Sequence, residues 1–400
     1  MSKLTIYYST TFLERNGDYY CNGAFGRYVE ELSKEYEFIN LCVPVNKASS
    51  VALGDYKITS KNILIQEMPD YKNVIGSIKY MYKSLRKLMK FAKEWEENVY
   101  IRWPSPYSYM VFLIAKHKNL KTIVHIVGDS RSVVEGGSKY RGFIKHIAIS
   151  YAKFEDFLLK KIMKKSINIA NGTGMRRIYS GMNINVNEIR TSTILNKDIY
   201  EREKNISKNK DIKILYVGYL RQEKGISYLL EAINILKSKI DKPITLTIVG
   251  DGEERTNLEN LVIDLNLKEN VDFKGHMPLG DKLFEIYRNN SIFILPSISE
   301  GTPRVLIEAM ANGLSIVATK VGGIPFTISD KYNGLLINPY SSNDIADSII
   351  KLENNPKTRE VLIKNGYEFA KLNTLESHVN EIIKIIEGDD FYEKKAFKYN

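Results

Sequence analysis

The sequence predicts an α/β protein of two Rossmann-like, doubly wound domains that face each other across a cleft. Three observations lead there. At 400 residues the chain exceeds what one core usually organises, and its 44% hydrophobic and 26% charged content is ordinary for globular protein. Short apolar, β-branched runs alternate with helix-length amphipathic stretches, the pattern of βαβ units around a parallel sheet. That alternation fails once, over residues 196–211, and then starts again.

The first series of strand-like runs is 4–9, 38–43, 63–66, 99–102, 122–127 and 167–170, which assigns residues 1–195 to an N-terminal domain. Charged and amide residues dominate 196–211, and nearly every apolar anchor is missing, so an interdomain linker is expected there. A second series, 212–217, 244–249, 271–273, 292–295, 316–318 and 335–337, defines a C-terminal domain over 212–374. Residues 375–400 read as a helix and then an aromatic, basic tail that returns to the first domain. Open α/β sheets bind ligands beyond the carboxyl ends of their strands, so function belongs in the cleft between the two sheets.

Cys21 and Cys42 lack the paired spacing of a metal site or disulfide framework, which fits a reducing compartment. No apolar run reaches the roughly 18 residues needed to span a bilayer, and no signal-peptide pattern precedes the first strand. A cytoplasmic protein is expected, with a peripheral position at the inner face of the plasma membrane as a further expectation. Residues 1–200 hold 31 Lys/Arg against 18 Asp/Glu, and residues 201–400 hold 27 against 29. The basic character therefore belongs to the N-terminal half and implies an anionic partner there.

The most informative segment is PSISEGTPRVLIEAMANGLSIVATKV, residues 296–321. It combines a strand end, a tight glycine turn and a helix. Thr302 suits the N-cap and Pro303 the first helical position, since proline lacks the N–H that would be unpaired there. The helix start, equivalent to roughly half a positive charge, suits a diphosphate. Arg304, Glu308 and Asn312 recur at helical spacing. Alone, Glu308 reads as the partner of Arg304 on a solvated face, a pair worth roughly 0.3–0.5 kcal/mol. Glu300 on the other side of the turn opens a second reading, in which two carboxylates meet the hydroxyl-rich groups on either side of a bound diphosphate. A nucleotide sugar has that layout.

Glu300 and Glu308, eight apart, with Gly301 and Pro303 between them and Ala309, Gly313, Gly322 and Gly323 following, closely resemble the signature of retaining family-4 glycosyltransferases of the GT-B fold. The resemblance extends through YVGYLRQEKG at 216–225, IVGDGEER at 248–255 and FKGHM at 273–277, in the right order. It implies that Glu308 binds the ribose hydroxyls of the donor, and that Glu300 contacts the donor sugar near its reacting end. Gly301, Thr302, Pro303 and Arg304 would line sugar and phosphate, with Gly218 and Gly250 as further donor-binding positions. Lys224 and Arg221 would neutralise the departing diphosphate. The family usually has Arg directly after the first glycine of the basic loop, where this sequence has Tyr219. For Arg221 and Lys224 the plain alternative is a charged turn before a helix, and for Gly250 and Gly252 it is a tight turn.

In the N-terminal half, NGAFGR at 22–27 matches the family's glycine-rich loop, with Gly23 and Gly26 permitting close backbone approach, or else a simple helix-start turn. His125 in TIVHIVGDS is the candidate for the family's catalytic-region histidine, with a core histidine as the alternative and Asp129 as a second candidate for the role. RWPSP at 102–106 resembles bacterial members that assemble polysaccharide, which implies capsule or lipopolysaccharide synthesis.

Ile78, Tyr82, Leu85, Met89, Ala92 and Trp95 fall on one helical stripe, with Lys79, Lys83, Arg86, Lys87, Lys90 and Lys93 off it, and a second basic stretch covers 153–165. Either the stripe lies on an anionic membrane, where each basic residue contributes about 1 kcal/mol, or it packs on the core. The first reading makes the acceptor a lipid-linked glycan. Nucleic acid is disfavoured, because the basic residues form no recognisable binding module.

The expected reaction transfers a glycosyl group from a nucleoside diphosphate sugar to a hydroxyl with retention, the resemblance implying a same-face displacement. No Asp-x-Asp triplet occurs in the chain, so no metal and no other cofactor is expected, the basic loop taking the ion's place. A sugar-nucleotide epimerase on the same fold and a noncatalytic donor-binding or scaffold subunit are the rival readings. Nicotinamide chemistry is disfavoured by the lack of a G-x-G-x-x-G turn after the opening strand.

Overall fold

The computed structural model of the chain describes residues 2–47, 56–71, 74–128, 142–180, 184–202 and 211–388. Two compact units are present, one running to Ile189 and resuming at Val379, the other covering Arg190–His378. Each is an α/β sandwich.

In the first unit the strand Lys3–Tyr7 lies between Phe38–Asn46 and Asn98–Trp103, all parallel. Ile63–Pro69 extends the sheet beyond Phe38–Asn46, while Lys121–Ile126, Ile167–Asn171 and Asn187–Ile189 extend it on the other side. Chain order thus reverses next to Lys3–Tyr7. All six strands expected from the alternation are present with shifted ends.

An antiparallel ribbon was not expected. Phe12–Arg15 and Asp18–Cys21 pair through a two-residue turn at Asn16 and Gly17, whose φ values are 54° and 83°. Hairpin turns of this type need positive φ at both central positions, which Asn-Gly adopts at least cost. The ribbon continues the end of Phe38–Asn46 and pairs with Tyr56–Lys57.

The helices Met81–Phe91, Ser108–His117 and Gly142–Met163 pack side by side on this sheet. Leu88, Val111, Leu159 and Ile162 bury their inner faces. The stripe read from the sequence divides: Ala92 and Trp95 turn inward with Leu88, whereas Ile78, Tyr82 and Met89 are exposed. Registering the helix on the buried Ser84 and Leu88 rotates it away from the simple apolar line. From Val379 the C-terminal helix also belongs to the first unit, where the Lys121 ammonium donates to the Ile386 carbonyl.

The second unit has a six-stranded parallel sheet in the order Val271–Gly275, Ile244–Val249, Ile212–Val217, Ile292–Leu295, Ser315–Thr319, Leu335–Ile337. Its six strands are the six expected. Ile292–Leu295 and Ser315–Thr319 are buried at every position, as strands covered by helices on both faces must be. The division between units falls after Ile189, whereas the sequence reading ends the first domain at 195 and starts the linker at 196. Residues 190–202 instead strap onto the second unit. Ile194 is fully buried in its core, the Tyr200 N–H donates to the Ala311 carbonyl over 2.8 Å, and the Arg202 guanidinium donates to the carbonyls of Arg288 and Asn290. Residues 203–210 of the expected linker lie outside the described residues. Among the described residues, no helix is long and apolar enough to cross a membrane.

Candidate functional site

In the second unit, chain order reverses between Ile212–Val217 and Ile292–Leu295. Doubly wound sheets take ligands at the carboxyl ends of the strands that flank such a reversal. The loops after these two strands run into helices, Ile226–Lys239 and Arg304–Ala311, and neither helix has a side-chain cap at its N-terminus. Their leading N–H groups and dipoles are available to an anion.

The two loops are laced together. The N–H groups of Ile298 and Ser299 donate to the Glu223 carbonyl over 2.8 and 3.4 Å. This brings the Lys224 ammonium into an ion pair with the Glu300 carboxylate, with the two side chains 20% and 11% exposed. A pair so sheltered leaves an uncompensated charge when one member is removed. Behind it stands Tyr216, whose hydroxyl donates to the Tyr219 carbonyl over 3.0 Å. Burial, and then the charges of Glu300 and Glu223, push this phenol well up.

Gly322 fixes the far side of the Glu300 loop. Its φ is 51°, and a Cβ there would lie far inside contact distance of the Glu300 carbonyl oxygen. Only glycine lets the two backbones approach so closely. Gly250 does the same for the neighbouring loop, where a Cβ would collide with the Gly218 carbonyl, so its glycine is explained by packing against Gly218.

Glu308 departs from the solvated-face reading. It is 5% exposed, Oε1 accepts from Thr193 Oγ1 over 2.5 Å, and Oε2 accepts from Tyr287 Oη over 2.9 Å. Arg304 is exposed and is not its partner. The helix starts one residue later than expected, with Pro303 as N-cap and Arg304 first, so Thr302 is not the cap. Gly301 is exposed and Thr302 half-buried, both at the rim beside Glu300.

Arg221 does not join the Lys224–Glu300 pair. Its half-exposed guanidinium lies 5.1 Å from the Tyr219 ring centre and 3.6 Å from the Glu253 carboxylate. Tyr219, in the place of the family's usual arginine, is thus the surface on which Arg221 rests.

In the first unit, Gly23 opens the helix Gly23–Ser33 and is buried, with Asn22 capping through the Ala24 N–H. Gly26 packs where a Cβ would strike the Tyr56 ring, so the Tyr56–Lys57 strand accounts for it. His125 is fully buried within Lys121–Ile126, not at the strand's end; Nδ1 meets the Tyr100 hydroxyl and Nε2 lies 2.6 Å from Asn171 Oδ1. It is placed as a core histidine with both ring nitrogens engaged. Asp129 lies outside the described residues.

Sequence reading missed Thr193 and Tyr287. Thr193 was assigned to the other domain, and Tyr287 reads as an ordinary core position of the helix Asp281–Asn289. The one available signal was TSTIL at 191–195, an apolar pair preceded by three hydroxyl residues.

Residues 198–369 match the family model described as Glycosyl transferases group 1. An uncharacterized glycosyltransferase of Methanocaldococcus jannaschii is 27% identical over 332 residues, which are 82% of this chain and 85% of that protein. Sucrose-phosphate synthase of Thermosynechococcus elongatus superposes with a TM-score of 0.70 over 97% of this chain and 99% of that one, at 16% identity. HepE of Anabaena, solved in complex with UDP, superposes with a TM-score of 0.68 over 97% of this chain and 100% of that one, at 14% identity. Likeness at those identities establishes the two-domain GT-B fold. Over residues 198–369 the chain is thus similar to the group 1 glycosyl transferases, and over most of its length it is similar to a glycosyltransferase.

Proposed function

We propose that the chain moves a glycosyl group from a nucleoside diphosphate sugar to a hydroxyl acceptor with retention of the anomeric configuration, in the assembly of a cell-surface polysaccharide or glycolipid. The observation that carries this reading is the Lys224–Glu300 pair between two uncapped helix starts, where strand order reverses. In this reading the diphosphate takes over Lys224 and the helix N-termini, and Arg221 swings off Tyr219 to add a second cation. Glu300, released from the ion pair, accepts from a sugar hydroxyl.

Glu308 has the chemistry for ribose. A carboxylate offers about four lone-pair positions, and Thr193 and Tyr287 take two. The vicinal diol supplies two donors for the rest. As the glycosidic bond lengthens, charge grows on the leaving phosphate oxygen, and the fixed cation and dipoles stabilise it there. The acceptor hydroxyl adds to the same face of the sugar and passes its proton to that oxygen. His125, enclosed in the first unit's sheet, has no contact with substrate in this reading. No metal is assigned, so a chelator leaves turnover intact.

Because HepE was solved with UDP and with UDP-glucose, uridine donors are the first to try. The acceptor in this reading is carried on a lipid at the cytoplasmic leaflet. A panel of nucleoside diphosphate sugars is screened by thermal shift against wild type and Lys224→Met. A ligand at 100 times its dissociation constant stabilises by about 2.7 kcal/mol, several degrees for a domain of this size. The expected result is one donor that shifts wild type strongly and the variant weakly, and that yields nucleoside diphosphate and a glycosylated product with membrane extract. If no nucleotide or nucleotide sugar shifts wild type, the reading is wrong.

A further inference from the structure

The three adjacent helices of the first unit, Met81–Phe91, Ser108–His117 and Gly142–Met163, satisfy the core with their inner faces alone. Their outer faces carry large apolar side chains that folding does not use. Tyr82 is 78% exposed, Met89 60% and Leu113 43%, and on the longest helix Ile147, Phe154 and Phe157 are 55%, 56% and 51% exposed. The last three stand at i, i+7 and i+10, one line along the outward side. Single exposed apolar residues need no explanation, but a face spread over three neighbouring helices does.

Charge chooses the occupant. Exposed Lys83, Arg86 and Lys90 accompany Tyr82 and Met89, and exposed Lys153 and Lys161 accompany Phe154 and Phe157. The Lys161 ammonium lies 4.4 Å from the Phe157 ring centre. The acidic Asp156 on the same helix is paired with Lys160 over 2.5 Å. Protein interfaces are depleted of lysine at their cores, and Met89, Leu113 and Ile147, which share this face with its aromatic rings, offer a nucleic-acid base nothing to stack on. Apolar tips ringed by flexible ammonium groups fit the boundary between acyl chains and anionic headgroups.

We propose that this three-helix face docks the protein on an anionic phospholipid bilayer, its aromatic and aliphatic tips at the headgroup boundary and its lysines against the phosphates. Exposure and charge in the first unit carry this docking. It deepens the functional reading, and rests on it only in that a lipid-borne acceptor would be met at this surface.

Cosedimentation of the full-length protein with vesicles of phosphatidylglycerol and phosphatidylcholine, against phosphatidylcholine alone, tests it. Binding is expected to the anionic vesicles and to weaken with salt. Lys83→Glu/Arg86→Glu/Lys90→Glu and, separately, Phe154→Ser/Phe157→Ser should each weaken it by about tenfold or more, at an unchanged melting temperature. Unchanged binding by both variants, or no preference of wild type for anionic vesicles, overturns the proposal. So does a wild-type dimer that Phe154→Ser/Phe157→Ser dissociates, since the face would then join two copies of the chain. Nucleotide binding, read by thermal shift on the same samples, reports on the second unit. A chain that binds vesicles but no nucleotide sugar keeps this inference and loses the transferase reading, and the converse result does the opposite.

Discussion

Tyr287→Phe removes a single oxygen and isolates what holds Glu308. The tyrosine ring is fully buried, 5.9 Å from the Phe293 ring, and its hydroxyl donates to Glu308 Oε2 over 2.9 Å. Phenylalanine keeps the ring and its packing, so almost no cavity opens. What disappears is one hydrogen bond to a carboxylate that is 5% exposed, and bonds to charged groups contribute about 1.5–3 kcal/mol net. Thr193 still serves Oε1, which keeps the loss to one bond. At about 2 kcal/mol, and about 2–4 °C per kcal/mol for a domain of this size, the melting temperature should fall by about 4–8 °C.

The pH dependence follows from the tyrosine. Burial, and then the charge and hydrogen bond of Glu308, push the Tyr287 hydroxyl well above its ordinary range. A group whose folded value is raised contributes fully below its unfolded value, about 10 for tyrosine, and loses that contribution only above it. The gap between wild type and Tyr287→Phe should therefore stay constant through neutral and mildly alkaline pH. Urea denaturation followed by circular dichroism measures it, with Tyr216→Phe as control. The Tyr216 hydroxyl donates to a neutral carbonyl, so its loss should cost only about 1 kcal/mol. If Tyr287→Phe costs no more than the control, Glu308 is not held there as a buried charged acceptor. A second readout separates fold from function: weaker UDP binding well below the melting temperature points to a carboxylate out of position, and unchanged binding points to a purely structural hydrogen bond.

Gly322→Ala should destabilise by at least about 1–2 kcal/mol, from the left-handed backbone and the collision with the Glu300 carbonyl, while Gly301→Ala, which has open space at its Cα, stays near wild type. Thermal melts of the two side by side decide whether the Glu300 loop is clamped, and equal melting points would mean that it is not. Glu30 gives an acid-side prediction. Burial pushes its carboxyl upward, but hydrogen bonds from Tyr56, Thr59 and Ser60 outweigh that and hold it below the usual range. Its contribution is present above the unfolded value of about 4.3 and is lost as pH falls through the folded value, so the stability gap to Glu30→Gln should shrink as acid is added. A gap in urea denaturation that does not narrow below about pH 4 would contradict this.

The buried parallel strands were legible in the sequence because their neighbours demand one residue type throughout. Ile292–Leu295 is apolar at every position and buried at every position. The ribbon of Phe12–Arg15 and Asp18–Cys21 escaped, since Glu14, Arg15 and Asp18 at its edge interrupt any apolar run. Its Asn16-Gly17 turn was the better signal, and it is local: two residues whose backbone angles specify a hairpin whatever the strands are made of. The unit boundary was misjudged for the opposite reason. Residues 196–202 are polar in composition, yet Tyr200 and Arg202 lie across the second unit through backbone and guanidinium hydrogen bonds that leave no trace in hydropathy.

Glu308 shows how a site can be found by spacing and understood only by packing. Five of its seven helix neighbours in Arg304–Ala311 are buried, and so is Glu308 itself. On that helix a leucine or methionine would fill the position without desolvating a charge, and replacing a buried charged group together with its partners by apolar residues is often neutral or stabilising. The fold therefore has no need of a carboxylate here, and supplies two hydroxyl donors, from Thr193 and Tyr287, to keep one. Those donors stand on a strap and a helix remote from it in sequence. Their oxygens fix the carboxylate's orientation but do not exhaust its acceptor capacity. A group that costs stability, is oriented from both sides and still has lone pairs to offer is arranged for a ligand with hydroxyl donors, and Glu308→Leu combined with Thr193→Val and Tyr287→Phe, which replaces the charge and both donors together, is accordingly expected to hold stability while UDP affinity falls.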